Sequence, residues 1–483
     1  MELAIEHHDS LPGQRGLFGG AKLDYQSFLA SKRIAFEASG FTVAKADINP
    51  RLFDWQRDIV RWALKRGRAA LFQDCGLGKT AQQLEWASHV HRRTHGRVLV
   101  LAPLAVASQT LREAGKFQIE SPIAHVHEQA DCIDGINVTN YERLHLFDCQ
   151  SFAGVVLDES SILKGFTGAT KRQLLTSFKD TKYKMACTAT PAPNDLMELG
   201  NHAEFLGAMP SNEMLSVWFI NDSMQVGKYR LRKHAVKDFW TWVASWAVCL
   251  STPADLGGDD TGYVLPPLRV YEHVVESGAA GPGMLFNMGG ISATNVHQEK
   301  RAALPQRSAK VGEIVNADDS QWAIWCDTNY EADAIKAVVK DAIEVRGSDS
   351  DKHKEDAFDG FASGRYRNII TKAEIAGFGL NWQHCHKTTW FAGYSYEKFY
   401  QAIRRLWRFG QNSPVDVHIV MTDAEQSIAD VLRRKEQDHD QMKSEMAHAM
   451  REFQMDAVYG RRKLRKYTPA HAMEVPSWLV PKF

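Results

Sequence analysis

No stretch of this sequence approaches the roughly 20 consecutive apolar residues that a bilayer-spanning helix needs. Residues 1–10 hold acids and histidines without an apolar run, so no secretory signal is expected there. Cysteine is sparse: the chain has 7 in 483 residues, at 75, 132, 149, 187, 249, 326 and 385, and no CxxC. An odd, scattered set excludes a disulfide framework and a zinc ribbon. It fits a reducing compartment, so a cytoplasmic setting is expected, either a bacterial cytosol or nucleoid or virus-infected host cytoplasm. Net charge is missing as well, since 58 basic residues balance 58 acidic ones. No global field draws the chain to a polyanion, and a nucleic-acid partner would have to be met by a local basic groove. No internal repeat of solenoid length is visible.

What is present is ordinary for a soluble globular protein: 44% hydrophobic and 24% charged residues. The length implies about two or three domains. From Arg68 the chain alternates short apolar runs with helical patterns, which predicts an α/β fold with a parallel sheet covered on both faces. The first runs are Ala69-Ala70-Leu71-Phe72, Val98-Leu99-Val100-Leu101, Val155-Val156-Leu157 and Lys184-Met185-Ala186-Cys187. The rhythm breaks after Leu206 in a Trp- and Gly-rich stretch. It resumes with Trp322-Ala323-Ile324-Trp325-Cys326, Ala342-Ile343-Glu344-Val345, Asn368-Ile369-Ile370-Thr371, Thr388-Thr389-Trp390-Phe391 and residues 415–420. The organisation expected is an N-terminal extension (1–47), a first α/β lobe (48–210), an irregular, mainly helical connector (211–310), a second lobe (311–424) and a charged helical tail (425–483).

Gln73-Asp74-Cys75-Gly76-Leu77-Gly78-Lys79-Thr80 follows a predicted strand and opens a helical pattern, the context a P-loop requires. Gly76 and Gly78 let the backbone curl so that its N–H groups face a phosphate, and the helix start adds positive potential. Lys79 would reach the β- and γ-phosphates and Thr80 would ligate Mg²⁺. Gln73 stands at the motif's first position in place of glycine. Downstream, Val155-Val156-Leu157 ends in Asp158-Glu159. Asp158 would hold Mg²⁺ through water, while Glu159 would orient and deprotonate an attacking water.

Beyond these two motifs, the order of several separate blocks between 52 and 432 resembles superfamily 2 helicases, in particular their Swi/Snf-like translocase branch. Phe53-Asp54-Trp55-Gln56 is similar to that family's aromatic-Gln motif, which implies that Gln56 reads adenine. Leu101-Ala102-Pro103-Leu104 and Val138-Thr139-Asn140-Tyr141-Glu142 resemble motifs that touch a nucleic-acid backbone. Asp158-Glu159-Ser160-Ser161-Ile162-Leu163-Lys164 is similar to Asp-Glu-x-His-x-Leu-Lys, with Ser161 in place of the histidine. Thr188-Ala189-Thr190-Pro191, followed by Asn194-Asp195-Leu196-Met197-Glu198-Leu199, resembles motif III and the branch's extension of it. Leu265-Pro266-Pro267 resembles the start of the second lobe, and Gly377-Phe378-Gly379-Leu380-Asn381 resembles motif V. Residues 401–411, Gln-Ala-Ile-Arg-Arg-Leu-Trp-Arg-Phe-Gly-Gln, resemble motif VI, with Arg404 where the family has glycine and Trp407 where it has histidine.

The resemblance implies two RecA-like lobes that hydrolyse ATP with Mg²⁺ in the cleft between them. Gly377 and Gly379 would contribute to nucleotide binding, Thr188, Thr190 and Gln401 would couple the lobes, and Arg405 and Arg408 would clamp the γ-phosphate. Read as a helix, the segment places Arg405 and Arg408 on one face and turns Arg404 partly away. The same three arginines also read as a solvated or DNA-facing stripe. The track implied is double-stranded DNA, with RNA as the rival polymer and an ATP-gated DNA-binding scaffold as the rival role. Pro103, Thr139, Lys164 and Thr371 are the expected backbone contacts. Lys228-Tyr229-Arg230-Leu231-Arg232-Lys233-His234 interleaves base and aromatic and would add Arg230 and Arg232, or it is a solvated amphipathic segment. Arg461-Arg462-Lys463-Leu464-Arg465-Lys466 carries the same two alternatives. A monomer is expected, working in replication, recombination or repair with a nuclease or replication protein as a possible partner.

Overall fold

The computed structural model describes residues 36–103, 106–164, 168–192, 195–221, 229–276, 301–376, 380–391 and 396–422, and separate positions between 425 and 459. Most of the 1–47 extension and all of the 461–466 basic patch therefore lie outside the described residues, as do Leu104, Asn194, Lys228, Gly377 and Gly379.

Six strands come first: β1 (Arg68–Gln73), β2 (Arg97–Ala102), β3 (Ile123–His125), β4 (Ile136–Asn140), β5 (Phe152–Asp158) and β6 (Tyr183–Thr188). A short antiparallel hairpin follows, β7 (Phe219–Asn221) with β8 (Tyr229–Leu231), and then β9 (Ala247–Leu250). β1–β6 and β9 form one parallel sheet in the order β3-β4-β2-β5-β6-β1-β9. The remaining strands are β10 (Leu268–Val275), β11 (Trp322–Cys326), β12 (Ala342–Val345), β13 (Asn368–Lys372), β14 (Lys387–Phe391) and β15 (Val415–Thr422). They make a second parallel sheet, ordered β10-β15-β14-β11-β13-β12. Every apolar run singled out in the sequence is a strand of one of these sheets.

Both faces of the first sheet are buried, as the unbroken apolar runs demand. Ala70, Phe72, Leu99, Leu101, Val155 and Leu157 point into one core and their neighbours Ala69, Leu71, Val98, Val100 and Val156 into another. Helices α1 (Asp54–Arg66), α2 (Lys79–Thr94) and α3 (Ala107–Phe117) cover the second of these faces through residues such as Ile59, Leu84 and Ala114. The 211–310 segment, expected as a connector, supplies an edge strand to each sheet: β9 to the first and β10 to the second. Its tryptophans 218, 240, 242 and 246 pack with Phe72 and Phe205 in the first sheet's own core.

The described positions between 433 and 459 are helical. Beyond β15 the Glu425 carboxylate accepts from Thr422 N at 2.9 Å and pairs with the fully buried Arg307 at 3.6 Å, and Arg433 still pairs with Glu272 of β10 at 2.8 Å. The chain then packs on the first sheet, where Met446 and Met450 join the core, the Gln454 side chain accepts from Cys249 N at 3.1 Å, and Tyr459 OH donates to Leu256 O at 3.1 Å.

His202, beside Phe72 and 3.1 Å from the Ser160 hydroxyl, is fully buried, and burial lowers its pKa to about 4. Between pH 6.5 and 4 the unfolded chain therefore takes up a proton that the folded protein refuses. Stability should fall as pH drops through that window, by roughly 1.4 kcal/mol per unit. His202→Gln should flatten the slope, as read from urea midpoints at pH 7 and 4.5.

Candidate active site

Parallel strands all end on one side, so the loops after β1, β5 and β6 are neighbours. Register fixes this directly: Phe72 lies beside Thr188, and Asp158 beside Cys187. The loop after β1 turns through Gly76 at φ +90° and Gly78 at φ +74°, conformations that side chains with a Cβ resist. Helix α2 starts immediately afterwards at Lys79. A Cβ on Gly78 would stand 2.5 Å from Gln56 Nε2, which donates to Leu77 O at 2.9 Å. Gln56 thus braces the loop from α1 while its Oε1 accepts from Phe53 N at 3.0 Å. The Lys79 ammonium donates to Gln73 O at 2.8 Å and Asp74 O at 3.2 Å, a cation curled into its own loop.

Asp158 ends β5 and is buried. Gln83 Nε2, one turn along α2 from Thr80, donates to Asp158 Oδ1 at 2.8 Å. This bond brings the Thr80 end of the helix against the acid. Burial raises the Asp158 pKa, opposed by the Gln83 bond and by Lys79. Tyr141 OH donates to Asp158 O at 2.6 Å, holding the strand end. Glu159 adopts φ +53°, a left-handed backbone costing about 1–2 kcal/mol in a residue with a side chain. Thr188 Oγ1 lies 3.5 Å from Glu159 Oε2 and accepts from Thr190 N at 3.1 Å. Among the described residues no group of three or more His, Cys, Asp or Glu could hold a metal by itself. Thr80 and Asp158 offer one hydroxyl and one carboxylate, the sparse oxygen set Mg²⁺ takes alongside phosphate and water.

The second sheet contributes a turn rather than a helix face. Helix α4 (Tyr396–Ile403) stops before the arginines, and residues 404–410 form turns and a bend. The expectation of a helix carrying Arg405 and Arg408 is corrected here. The Arg405 carbonyl accepts from Trp382 N at 2.9 Å, and Trp407 Nε1 donates to Pro266 O at 2.7 Å, so neighbouring segments take hold of the chain. The two guanidinia still converge: Arg405 Nη1 and Arg408 Nη1 both donate to Leu380 O, at 3.3 and 3.2 Å. Burial, then the adjacent Arg405, lower the Arg408 pKa to about 10, which leaves it charged at neutral pH. Arg408 Nε and Gln401 Nε2 are buried donors with no partner among the described residues, a set suited to an incoming anion.

Arg404, not expected to act, makes the contact between the two sheets that sequence reasoning missed. Its Nη2 donates to Asp74 Oδ2 at 2.7 Å, from the second sheet's turn to the first sheet's P-loop. Tyr400 OH donates to Asp74 Oδ1 at 2.6 Å, and Lys443 of the tail pairs with the same carboxylate. Glycine at the family's position had marked Arg404 only as a departure, and a pair 330 residues apart leaves no local signal.

The polymer-facing expectations fare differently. Thr139 lies fully buried within β4, and Thr371 is buried in β13 with its hydroxyl on Val345 O at 3.2 Å. Both are interior strand residues whose side chains face away from solvent. Arg232 donates to Val217 O and Ser216 O, both at 3.1 Å, capping the end of the helix Ser211–Trp218. Pro103, directly after β2, is half-buried, whereas Lys164 and Arg230 are exposed.

No protein-family profile matches the chain. Over 164 residues it is 31% identical to the SWI/SNF-related matrix-associated actin-dependent regulator of chromatin subfamily A-like protein 1 of Xenopus tropicalis. That similarity covers 32% of this chain and 17% of the relative, so the chain matches less than a fifth of the relative's length.

Gly78→Ala must both displace Gln56 and hold a left-handed residue, so affinity for a fluorescent ATP analogue should fall about tenfold or more. Arg232→Ala should lower the melting temperature through loss of a cap, by about 1 kcal/mol of stability, and leave polymer affinity unchanged in the same preparation.

Proposed function

We propose that this chain is an ATP-dependent motor that moves on, or remodels, duplex DNA. In this reading two RecA-like lobes, 48–210 and 311–424, close and open around the nucleotide, with 211–310 as connector and 425–483 as tail. The observation that carries it is a P-loop at the end of one parallel sheet lying against an arginine-bearing turn of another, tied by the 2.7 Å Arg404–Asp74 bond. DNA as the track is supported by the 31% identity to a protein named as a chromatin regulator.

Bound ATP with Mg²⁺ supplies the phosphoanhydride bond whose hydrolysis drives the cycle. Gln56 holds the base, and the backbone around Gly76 and Gly78 cradles the phosphates together with Lys79. Thr80, and Asp158 through water, would hold the ion. Glu159 orients a water and takes its proton. Arg405 and Arg408 offset charge on the γ-phosphate, a contribution of roughly 10³–10⁵ in rate for such a guanidinium. The motif V glycines 377 and 379 would close the nucleotide site from the second lobe. Thr188, Thr190 and Gln401 relay the state of the cleft between lobes. Pro103, Lys164 and Arg230 remain the candidate polymer contacts, and their grip on the phosphate backbone would be independent of sequence and weakened by salt.

The test is ATP turnover by the full chain with no polymer, duplex DNA, single-stranded DNA and RNA, beside Lys79→Ala. Stimulation by duplex DNA that Lys79→Ala abolishes is the expected result. Stimulation by RNA alone would transfer the reading to an RNA motor. No turnover with any polymer would leave a gated scaffold and overturn the motor.

A further inference from the structure

We infer that Asp74 is a positioning residue: from within the P-loop its carboxylate anchors the 404–410 turn through Arg404 and Tyr400, and thereby sets Arg405 and Arg408 over the phosphate site. The inference rests on the reading of the cleft as an ATP site and deepens it.

Asp74 is held rigidly from its own side. Its N donates to Leu250 O at 2.9 Å, extending the β1–β9 ladder, and its carbonyl accepts from Lys79 at 3.2 Å. Both carboxylate oxygens are then fully used. Oδ1 accepts from Cys75 N at 2.8 Å and from Tyr400 OH at 2.6 Å; Oδ2 accepts from Arg404 Nη2 at 2.7 Å and from Lys443. With Asp74 and Arg404 only 7% and 8% exposed, water screens the pair little, and its geometry is correspondingly exacting. Burial alone would raise the Asp74 pKa, yet Arg404 and Lys443 hold it well below the usual carboxylate range, so the anchor stays ionised.

Arg404 and Arg405 are adjacent in the chain, so what fixes one guanidinium fixes the origin of the next. The turn also rests on the loop itself, because a Cβ on Gly76 would meet Phe409 Cβ at 3.0 Å. Arg404 stands where the resembled motif has glycine, and so this anchor is a feature of the present chain.

The experiment compares full-length wild type, Asp74→Asn, Arg404→Gly, Arg404→Lys, the Asp74→Asn/Arg404→Gly double variant and Lys79→Ala. It reads kcat and KM for ATP with saturating duplex DNA, affinity for a non-hydrolysable ATP analogue, and melting temperature. Misplaced arginines should lower kcat about tenfold or more in Asp74→Asn and Arg404→Gly, with analogue affinity within about threefold of wild type. Arg404→Lys should restore part of kcat, and the double variant should be no worse than the poorer single one. Unchanged kcat in both single variants, or losses that multiply in the double variant, overturns the inference. So does Arg404→Lys matching Arg404→Gly in kcat and melting temperature, since a purely structural role would do that. If Lys79→Ala stops turnover while Asp74→Asn and Arg404→Gly keep the wild-type kcat, the anchor alone fails; if Lys79→Ala changes nothing, the ATP site fails with it.

Discussion

A parallel ladder delivers the end of every strand to the same edge, and that single geometric constraint organises this protein. Asp74, Asp158, Thr188 and Pro103 belong to four different segments of sequence, yet each is the residue at which a strand of the first sheet ends or turns. Hydrogen bonding between β1, β5 and β6 makes them neighbours before any side chain interacts. Chemistry is then concentrated by two tight glycine turns and one left-handed glutamate, positions where the backbone departs from what its residues prefer. Tyr141 and Gln83 support that edge from outside, fixing the carbonyl and the carboxylate of Asp158 respectively.

The second sheet meets this edge through a segment whose form is decided by its neighbours. Residues 404–410 carry helix-compatible residues, but Trp382 N takes the Arg405 carbonyl and the Trp407 indole is tied to Pro266 O, so the chain turns where α4 ends. The result is a turn whose arginines share one carbonyl acceptor, Leu380 O. The histidine absent from the Asp-Glu-Ser-Ser motif has a counterpart of sorts: Ser160 in that motif is bonded to His202, buried and uncharged at neutral pH.

How much of this was legible follows from range. Strands with unbroken apolar runs, such as β1, β2 and β11, were readable because both faces are buried. β4 was not, because Ile136-Asn137-Val138-Thr139-Asn140 is half polar, with Asn137 spending its amide on Ile133 O. β9 was hidden in a tryptophan-rich stretch, and β10, an edge strand with exposed Val270 and Val274, lacks a buried pattern. The glycine turn after β1 and the acid pair closing β5 were readable as local patterns because each is contiguous in sequence. The Asp74–Arg404 contact was not, since neither residue carries any mark of a partner so distant in sequence. For threonines 139 and 371 the order of the motifs names the strand but not which side chain faces out, and both are buried.

The path of the tail has a mechanical corollary. The tail still touches the second sheet at Arg433, which pairs with Glu272 of β10 at 2.8 Å, and touches the first sheet by Lys443 on Asp74, so nine residues of chain separate the two contacts. Such a bridge acts as a leash of fixed slack. It bounds how far the two sheets can separate while both contacts hold, and so makes the C-terminal segment part of what keeps them together.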